Sequence, residues 1–343
     1  MKKTKQHIGL LLAALFAVGL SSCVKEDYAD SSSKGTATVN LVFDTRASGQ
    51  DGEEVEGSAE EGIKKLRVIV LDTDENRVDI NEMHDFSDAP ANVKTLTIMG
   101  LSTGHKSFYV VANEEAAGLN LDNYLREGTT FAPTDTTEFL QLPIVDEQRT
   151  YFPHSGLPAN GLPIAGTASM NIVEGQDQTI TIPITRAVAK FVLYVKNESK
   201  QDFTISTVNF GSFIADRTCL FPEQPAPADI TRSSWNVSLG TGVTVPADAD
   251  GTDAVFTGYI YETGIMQDAS AFTLALISPT AGYGALATPV QIKFAQEGRT
   301  AINRNEQVEI TATVNVNREV EVDDLEILVV PWDEKEIEVP AFQ

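Results

Sequence analysis

The sequence predicts an all-β protein with a minor helical part, organised as two β-sandwich domains. Three observations lead to this prediction. Short runs rich in β-branched and aromatic residues recur along the chain, turn residues separate them, and only residues 113–126 have helical character. Such a succession is typical of β-sandwiches. The chain has 343 residues, which is enough for two domains that each bury a core.

The β-rich runs predict the individual strands. We expect strands at 37–43, 65–71, 93–99, 106–112, 168–173, 178–183, 186–196, 203–208, 254–261, 271–278, 290–294, 306–317 and 320–330. A loop rich in Pro and Gly is expected over 131–166. We expect a turn at 72–76 and not a calcium loop, because Arg77 stands where such a loop needs Gly. The domain boundary is predicted near Pro183.

The N-terminus has the layout of a secretory signal peptide. A lysine-rich start precedes the apolar run 8–20, and small residues close it. This run is shorter than the ~20 residues that a membrane-spanning helix needs. Residues 20–23 (LSSC) then match the bacterial lipobox, in which the cysteine is acylated, for example with palmitate. We therefore expect residues 1–22 to be removed and Cys23 to hold an exported bacterial protein on a membrane.

One strand is expected soon after Cys23, behind a polar spacer at 25–35. Apolar side chains alternate with others along it and predict one buried face; they are Ala37, Val39, Leu41 and Phe43. Arg46 follows this strand and precedes the acidic, Gly-rich segment 50–62. An exposed arginine in such a segment suits a trypsin-like protease, although many loops contain an arginine without being cut.

The net charge argues against nucleic-acid binding, and the lack of catalytic motifs argues against an enzyme. The formal net charge is −24, and nucleic acids and anionic lipid headgroups need basic patches. No nucleophile elbow, phosphate-binding glycine loop or closely spaced His/Cys ligand set is present, so we expect neither an enzyme nor a cofactor or metal site. If Cys23 is acylated, Cys219 has no partner, and we expect it to be a small buried side chain.

The C-terminal residues carry a second strand-like pattern. Ile337, Val339 and Ala341 alternate with Glu336, Glu338 and Pro340, which predicts a strand with one apolar face. Such a segment either adds an edge strand to its own domain or serves as a donor strand for another molecule. Pro340 cannot donate a ladder hydrogen bond, so its place in any sheet is restricted.

Several short motifs, in this order and spacing, resemble the fimbrillins, the lipoprotein pilins of type V pili in Bacteroidota. The resemblance extends over nearly the whole chain. Its motifs are LSSC at 20–23, TRA at 45–47, KLRVIV at 65–70, YVVAN at 109–113, LPIAG at 162–166, TRAVAK at 185–190, GYIYE at 258–262, RNEQV at 304–308 and VPW at 330–332.

The resemblance implies two transthyretin-like β-sandwich domains and a defined maturation. Residues 23–46 would form a lipidated propeptide with the first strand, 47–183 the N-terminal sandwich, and 184–343 the C-terminal sandwich. The precursor would reach the outer membrane as a lipoprotein. An arginine-specific protease would then cut between Arg46 and Ala47 and release an extracellular fimbrial subunit that contributes to adhesion.

Loss of the first strand would open an apolar groove with unpaired backbone on both sides. We expect identical or related pilin subunits to fill it with their C-terminal strand. Ile337, Val339 and Ala341 would then take the places of Val39, Leu41 and Phe43, with the register as a guess.

Three other functions remain open. A pilus anchor would keep its lipid and stay uncut, and a tip protein would lack a free donor segment. From a different class, a surface glycan-binding lipoprotein of a nutrient uptake system would need several exposed aromatic side chains on a concave platform.

Overall fold

The computed structural model describes residues 34–44, 62–87, 95–222, 224–294, 298–320 and 326–331. The predicted lipidation, cleavage and donor positions lie outside these ranges; they are Cys23, Arg46, Ala47, Ile337, Val339 and Ala341. No helix in the described ranges is long and apolar enough to cross a membrane. Strands make up 53% of the described residues and helices 7%, and the predicted all-β class with a minor helical part is confirmed.

Two sheets form the first sandwich. Their strands are β1 (Thr36–Asp44), β2 (Lys65–Asp72), β3 (Arg77–Asp85), β4 (Thr95–Ser102), β5 (Gly104–Ala112), β8 (Ile164–Ile172), β9 (Gln178–Pro183) and β10 (Thr185–Arg186). One sheet has the order β4-β1-β9 and the other β10-β8-β5-β2-β3. Apolar side chains from both sheets meet in one buried cluster between them, which makes this half a sandwich.

Three short elements lie between β5 and β8. They are α1 (Pro133–Leu140), β6 (Pro143–Val145) and β7 (His154–Ser155). A 3-10 turn at Glu114–Ala117 precedes them.

The second sandwich follows directly. Its strands are β11 (Val188–Asn197), β12 (Phe203–Ala215), β14 (Arg232–Val245), β15 (Asp250–Tyr261), β16 (Thr273–Ile277), β17 (Val290–Gln291), β18 (Lys293–Phe294), β19 (Glu306–Val314) and β20 (Glu326–Pro331). The short strand β13 (Arg217–Cys219) lies outside its two sheets. A six-stranded sheet with the order β18-β20-β19-β11-β15-β7 packs on a four-stranded sheet with the order β14-β12-β16-β17. An aromatic cluster with Phe210 at its centre fills the core between them.

A third buried cluster joins the two halves. It contains the second face of β2 and β5, Phe139 of α1, and Tyr259 and Tyr261 of β15. β7 pairs with β15, and β6 pairs with β13, so the connection between β5 and β8 adds strands to the second half. Arg304 also lies here; it donates to Phe221 O at 3.1 Å and to Thr218 Oγ1 at 2.8 Å and pairs with Glu262.

The predicted boundary between residues 183 and 184 falls between β9 and β10. β10 still pairs with β8 of the first half, through Thr185 and Arg186. The boundary therefore stays a prediction, as does the assignment of 47–183 and 184–343 to separate domains.

Two local predictions were wrong. Residues 131–166 are not a continuous loop, because α1, β6, β7 and the start of β8 lie within them. Helix α1 begins with Pro133, its Asp135 carboxylate accepts a hydrogen bond from Ala132 N at 2.8 Å, and Phe139 is buried. One buried residue in eight gives too weak a periodicity to detect. Conversely, residues 113–126 contain only the single 3-10 turn.

Two long strands were also missed, and they share one property. β3 and β14 each lie at the edge of their sheet, so polar side chains are tolerated on them. Their sequences, RVDINEMHD and RSSWNVSLGTGVTV, are rich in charged or small polar residues. In β3 the periodicity is weak, whereas in β14 it is present at Trp235, Val237 and Leu239, which pack against the core, and small polar residues on either side mask it.

Candidate functional site: the first strand and its groove

β1 is the central strand of its sheet. It pairs antiparallel with β4, from Thr36 opposite Ser102 to Val42 opposite Thr95. On its other side it pairs in parallel with β9, from Val39 opposite Gln178 to Asp44 opposite Pro183. β4 and β9 therefore form the two walls of a groove that β1 fills, and β1 is the strand that each of them pairs with in this sheet.

The two faces of β1 differ sharply. The inward side chains are almost inaccessible, with exposed fractions of 6% for Ala37, 0% for Val39, 0% for Leu41 and 6% for Phe43. The outward side chains, Thr38, Asn40 and Val42, are half-buried. Burial of one large apolar side chain contributes about 1.5–3 kcal/mol, so the inward face holds β1 in place strongly.

The floor of the groove under β1 belongs to the five-stranded sheet. Its buried side chains come from β2, β5 and β8, and they are Leu66, Val68, Val70, Phe108, Val110, Ala112, Ile164 and Ile172. The walls add Leu101 of β4 and Ile180 and Ile182 of β9. The groove is apolar along its whole length and fits alternating apolar side chains.

Buried charges fix the β4 wall to the floor. Lys106 of β5 is fully buried, and its Nζ donates to Asp72 Oδ2 at 2.7 Å, Asp79 Oδ2 at 2.6 Å and Ser102 Oγ at 2.7 Å. Ser102 is the last residue of β4. The Lys106 cluster thus ties β4 to β2, β3 and β5 through contacts that do not involve β1.

The β9 wall has its own attachment. The side chain of Gln178 accepts a hydrogen bond from Val173 N at 2.7 Å and donates one to Asn171 O at 3.0 Å. At the far end of β9, a Cβ on Gly166 would lie 2.0 Å from Pro183 O, so only glycine allows this close approach to β8. Both walls are therefore held by contacts that remain when β1 is absent.

A second buried ion pair supports the floor at the other end of β2. The Arg67 guanidinium donates to Glu114 at 2.8 and 2.9 Å and to Asp122 at 2.6 Å. Burial alone would lower the pKa of Arg67, but these hydrogen bonds hold the pKa above its ordinary value. The sequence motif KLRVIV contains this arginine. It does not reveal the two acidic partners, because both lie far along the chain.

Arg46 and Arg186 are both preceded by a strand, β1 and β9 respectively, but only one of them lies in a described part of the chain. Arg186 lies in β10, is buried, and donates to Asn305 Oδ1 at 3.1 Å. A protease cannot reach a backbone held in this way. Arg46 lies outside the described residues, two positions after the end of β1.

The described residues offer little for chemistry. No group of three or more His, Cys, Asp or Glu within them could hold a metal ion. Cys219 is buried, its thiol contacts Pro225 O, and burial raises the pKa of the thiol, which disfavours the reactive thiolate. The arrangement favours strand binding over catalysis.

The burial of Leu41 gives a first prediction. In the precursor, Leu41→Ala is expected to lower the free energy of unfolding by about 2–5 kcal/mol, because it leaves a cavity between the two sheets. The matched change Val42→Ala, on the outward face, is expected to cost about 1 kcal/mol or less. Denaturant unfolding of both variants measures the difference. Equal losses would contradict the one-sided packing of β1.

The family of the major fimbrial subunit protein (FimA) matches residues 36–186, the segment from β1 to β10. The resemblance to fimbrillins is thereby confirmed. The family is one of structural, non-enzymatic subunits of extracellular fimbriae, which assemble with related pilins.

Solved structures with the same fold cover almost the whole chain. The tip fimbrial protein Mfa3 from Porphyromonas gingivalis, with a C-terminal truncation, has 15% identity and a TM-score of 0.56, and the match covers 87% of this chain and 100% of that one. A cell adhesion protein from Parabacteroides distasonis has 14% identity, a TM-score of 0.55, and coverage of 87% and 97%.

A third example, a cell adhesion protein from Bacteroides eggerthii, has 16% identity, a TM-score of 0.51, and coverage of 87% and 95%. At these identities the likeness establishes the fold. No curated protein matches the chain.

Proposed function

We propose that this chain is the precursor of a type V pilus subunit that polymerises by donor-strand exchange. The observation that carries the proposal is the position of β1, a central strand with a fully buried apolar face that ends two residues before Arg46. Cutting after Arg46 separates this strand from the rest of the chain. The groove it leaves has two unpaired edges, which are templates for strand addition.

The proposed donor is the C-terminal tail of the next subunit. Ile337, Val339 and Ala341 supply alternate apolar side chains of the kind that the groove accepts. The outward positions beside β1 are exposed threonines on both walls, namely Thr95, Thr97, Thr179 and Thr181. They carry no negative charge, so Glu336 and Glu338 of the donor meet no like charge there.

The geometry of the contact explains why the product is a fibre. Donor and groove are different parts of the molecule, so each subunit offers one of each. Such a head-to-tail contact does not close on itself and propagates into a filament. The full sequence has a formal net charge of −24, and residues 1–46 contain more basic than acidic residues, so the processed subunit is more acidic still. This charge keeps unassembled subunits soluble and apart.

Export as a lipoprotein completes the proposal. The lipid on Cys23 holds the precursor at the outer membrane, and the cut between Arg46 and Ala47 by an arginine-specific protease releases it. The mature subunit enters the extracellular fimbrium, which contributes to adhesion. An anchor would keep residues 23–46, and no specific observation favours an anchor, a tip protein or a glycan-binding protein over a polymerising subunit.

Cells that lack this protein test the proposal. Electron microscopy is expected to show loss of surface fibres, restored when the chain is supplied again. Antibody raised against the mature chain should decorate the restored fibres along their length. Decoration only at the base or at the tip would contradict a stalk subunit, and unchanged fibres in the deleted cells would contradict the pilus role.

A further inference from the structure

The side chains and register of β1 also indicate the direction in which a donor strand would lie in the groove. This inference rests on the proposed function. We infer that the donor runs opposite to β1, with Ala341 at the position of Ala37, Val339 at that of Val39 and Ile337 at that of Leu41. The donor would then lie parallel to β4 and antiparallel to β9.

The backbone does not favour either direction. β1 has one antiparallel neighbour, β4, and one parallel neighbour, β9. A strand in the opposite direction also has one neighbour of each kind, only exchanged. The numbers of parallel and antiparallel ladders are therefore equal, and side chains must decide the direction.

The first deciding feature is a gradient of pocket size. Along β1 the buried side chains grow from Ala37 through Val39 and Leu41 to Phe43. Along the tail they shrink, from Ile337 through Val339 to Ala341. In opposite directions the two gradients coincide: alanine replaces alanine, valine replaces valine, and isoleucine replaces its isomer leucine. Volume-conserving replacements of this kind are the ones that packed cores tolerate best.

In the same direction as β1, the sizes conflict. With Ile337 at Val39, the next positions place Val339 at Leu41 and Ala341 at Phe43. Alanine would leave most of the Phe43 pocket empty, and Lys335 would fall on the small Ala37 position. Cavities and overpacking both destabilise a buried contact. In the opposite direction Lys335 falls on the Phe43 position, whose pocket accepts a long side-chain stem that the Ala37 position cannot.

The second deciding feature concerns Pro340. The β4 register passes from Ala37 to Val39, and the β9 register begins at Val39, so neither assigns a partner to Thr38. In the opposite direction Pro340 falls on this position, where its missing N–H removes no ladder bond. In the same direction it falls on Val42, which pairs with Thr95 and Thr181 on both sides. Pocket size and proline position thus indicate one direction independently.

Paired cysteines test the direction in assembled fibres. In the opposite direction Glu336 lies at the Val42 position beside Thr181; in the same direction Pro340 lies at that position instead. Thr181 is exposed. Fibres of Glu336→Cys/Thr181→Cys are expected to give disulfide-linked ladders on a non-reducing gel, and fibres of Pro340→Cys/Thr181→Cys are expected to give monomers. The reverse pattern, or no ladder from the first pair, would overturn the direction.

A third pair separates this inference from the proposed function. Glu338 lies at the Asn40 position in either direction, opposite Thr179. Glu338→Cys/Thr179→Cys is therefore expected to give ladders whichever way the donor runs. If this pair gives none in intact fibres, strand insertion itself is contradicted, and the proposed function fails with it.

A size change gives a second readout. Ala341→Phe is expected to reduce fibre yield at least tenfold, because a phenyl ring cannot occupy the Ala37 position. In the same direction the ring would fall on the Phe43 position and fibres would form normally. Normal fibres from this variant would overturn the inference.

Discussion

Deletion of residues 334–343 is expected to abolish fibre formation and to leave a folded, secreted and processed monomer. The physical reason is that the tail supplies the three apolar side chains that refill the groove of a neighbouring subunit, while β20 pairs with β19 and the described core of the second half comes from residues before the tail. Without a donor, the groove between β4 and β9 stays open. Gel filtration and electron microscopy of the secreted protein measure the effect.

A matched pair of variants shows whether the apolar face is responsible. Ile337→Ser/Val339→Ser changes only the inward face of the proposed donor and is expected to reproduce the deletion. Glu336→Gln/Glu338→Gln changes only the outward face and is expected to assemble, because its neighbours are uncharged threonines. Normal polymerisation of the truncated protein would show that residues 334–343 are not the donor.

Arg46→Ala is expected to give a membrane-held precursor that does not polymerise. Without the cut, β1 stays attached to the chain and occupies its own groove at an effective concentration that no free donor can match. The inward side chains Val39, Leu41 and Phe43 contribute about 1.5–3 kcal/mol each to that occupancy. N-terminal sequencing of wild-type surface protein is expected to begin at Ala47.

The double variant Cys23→Ala/Arg46→Ala separates release from assembly. It is expected to leave the membrane, since no lipid holds it, and still to form no fibres, since β1 fills the groove. Arg46→Lys, which a strictly arginine-specific protease does not cut, is expected to behave like Arg46→Ala. Assembled fibres whose subunits begin at Cys23 would contradict this account and favour an anchor.

Much of the fold could be predicted from sequence where a strand has one buried face. β9 was predicted at 178–183 and is observed at Gln178–Pro183, because Ile180 and Ile182 alternate with exposed residues. β3 was not predicted because charged residues interrupt its apolar positions. β14 was not predicted although Trp235, Val237 and Leu239 alternate on its core-facing side, because small polar residues surround them. The short helix α1 was missed because a single buried side chain gives no periodicity.

The candidate site was predictable only in part. Alternation at Ala37, Val39, Leu41 and Phe43 indicates an apolar face, but it does not reveal which strands lie on either side. The parallel pairing of β1 with β9 joins segments more than a hundred residues apart, and local sequence carries no signal for such a partner. The Lys106 cluster was missed for the same reason, since Asp72 and Asp79 belong to other strands. These long-range contacts explain how the walls of the groove persist without β1.

Electron cryomicroscopy of purified fibres shows which strand fills the groove. We expect one strand between β4 and β9 of each subunit, and we expect this strand to be continuous with β20 of the neighbouring subunit. Side-chain density in the buried positions should fit Ile337, Val339 and Ala341. Density for residues 36–44 of the same subunit in that position would contradict the account.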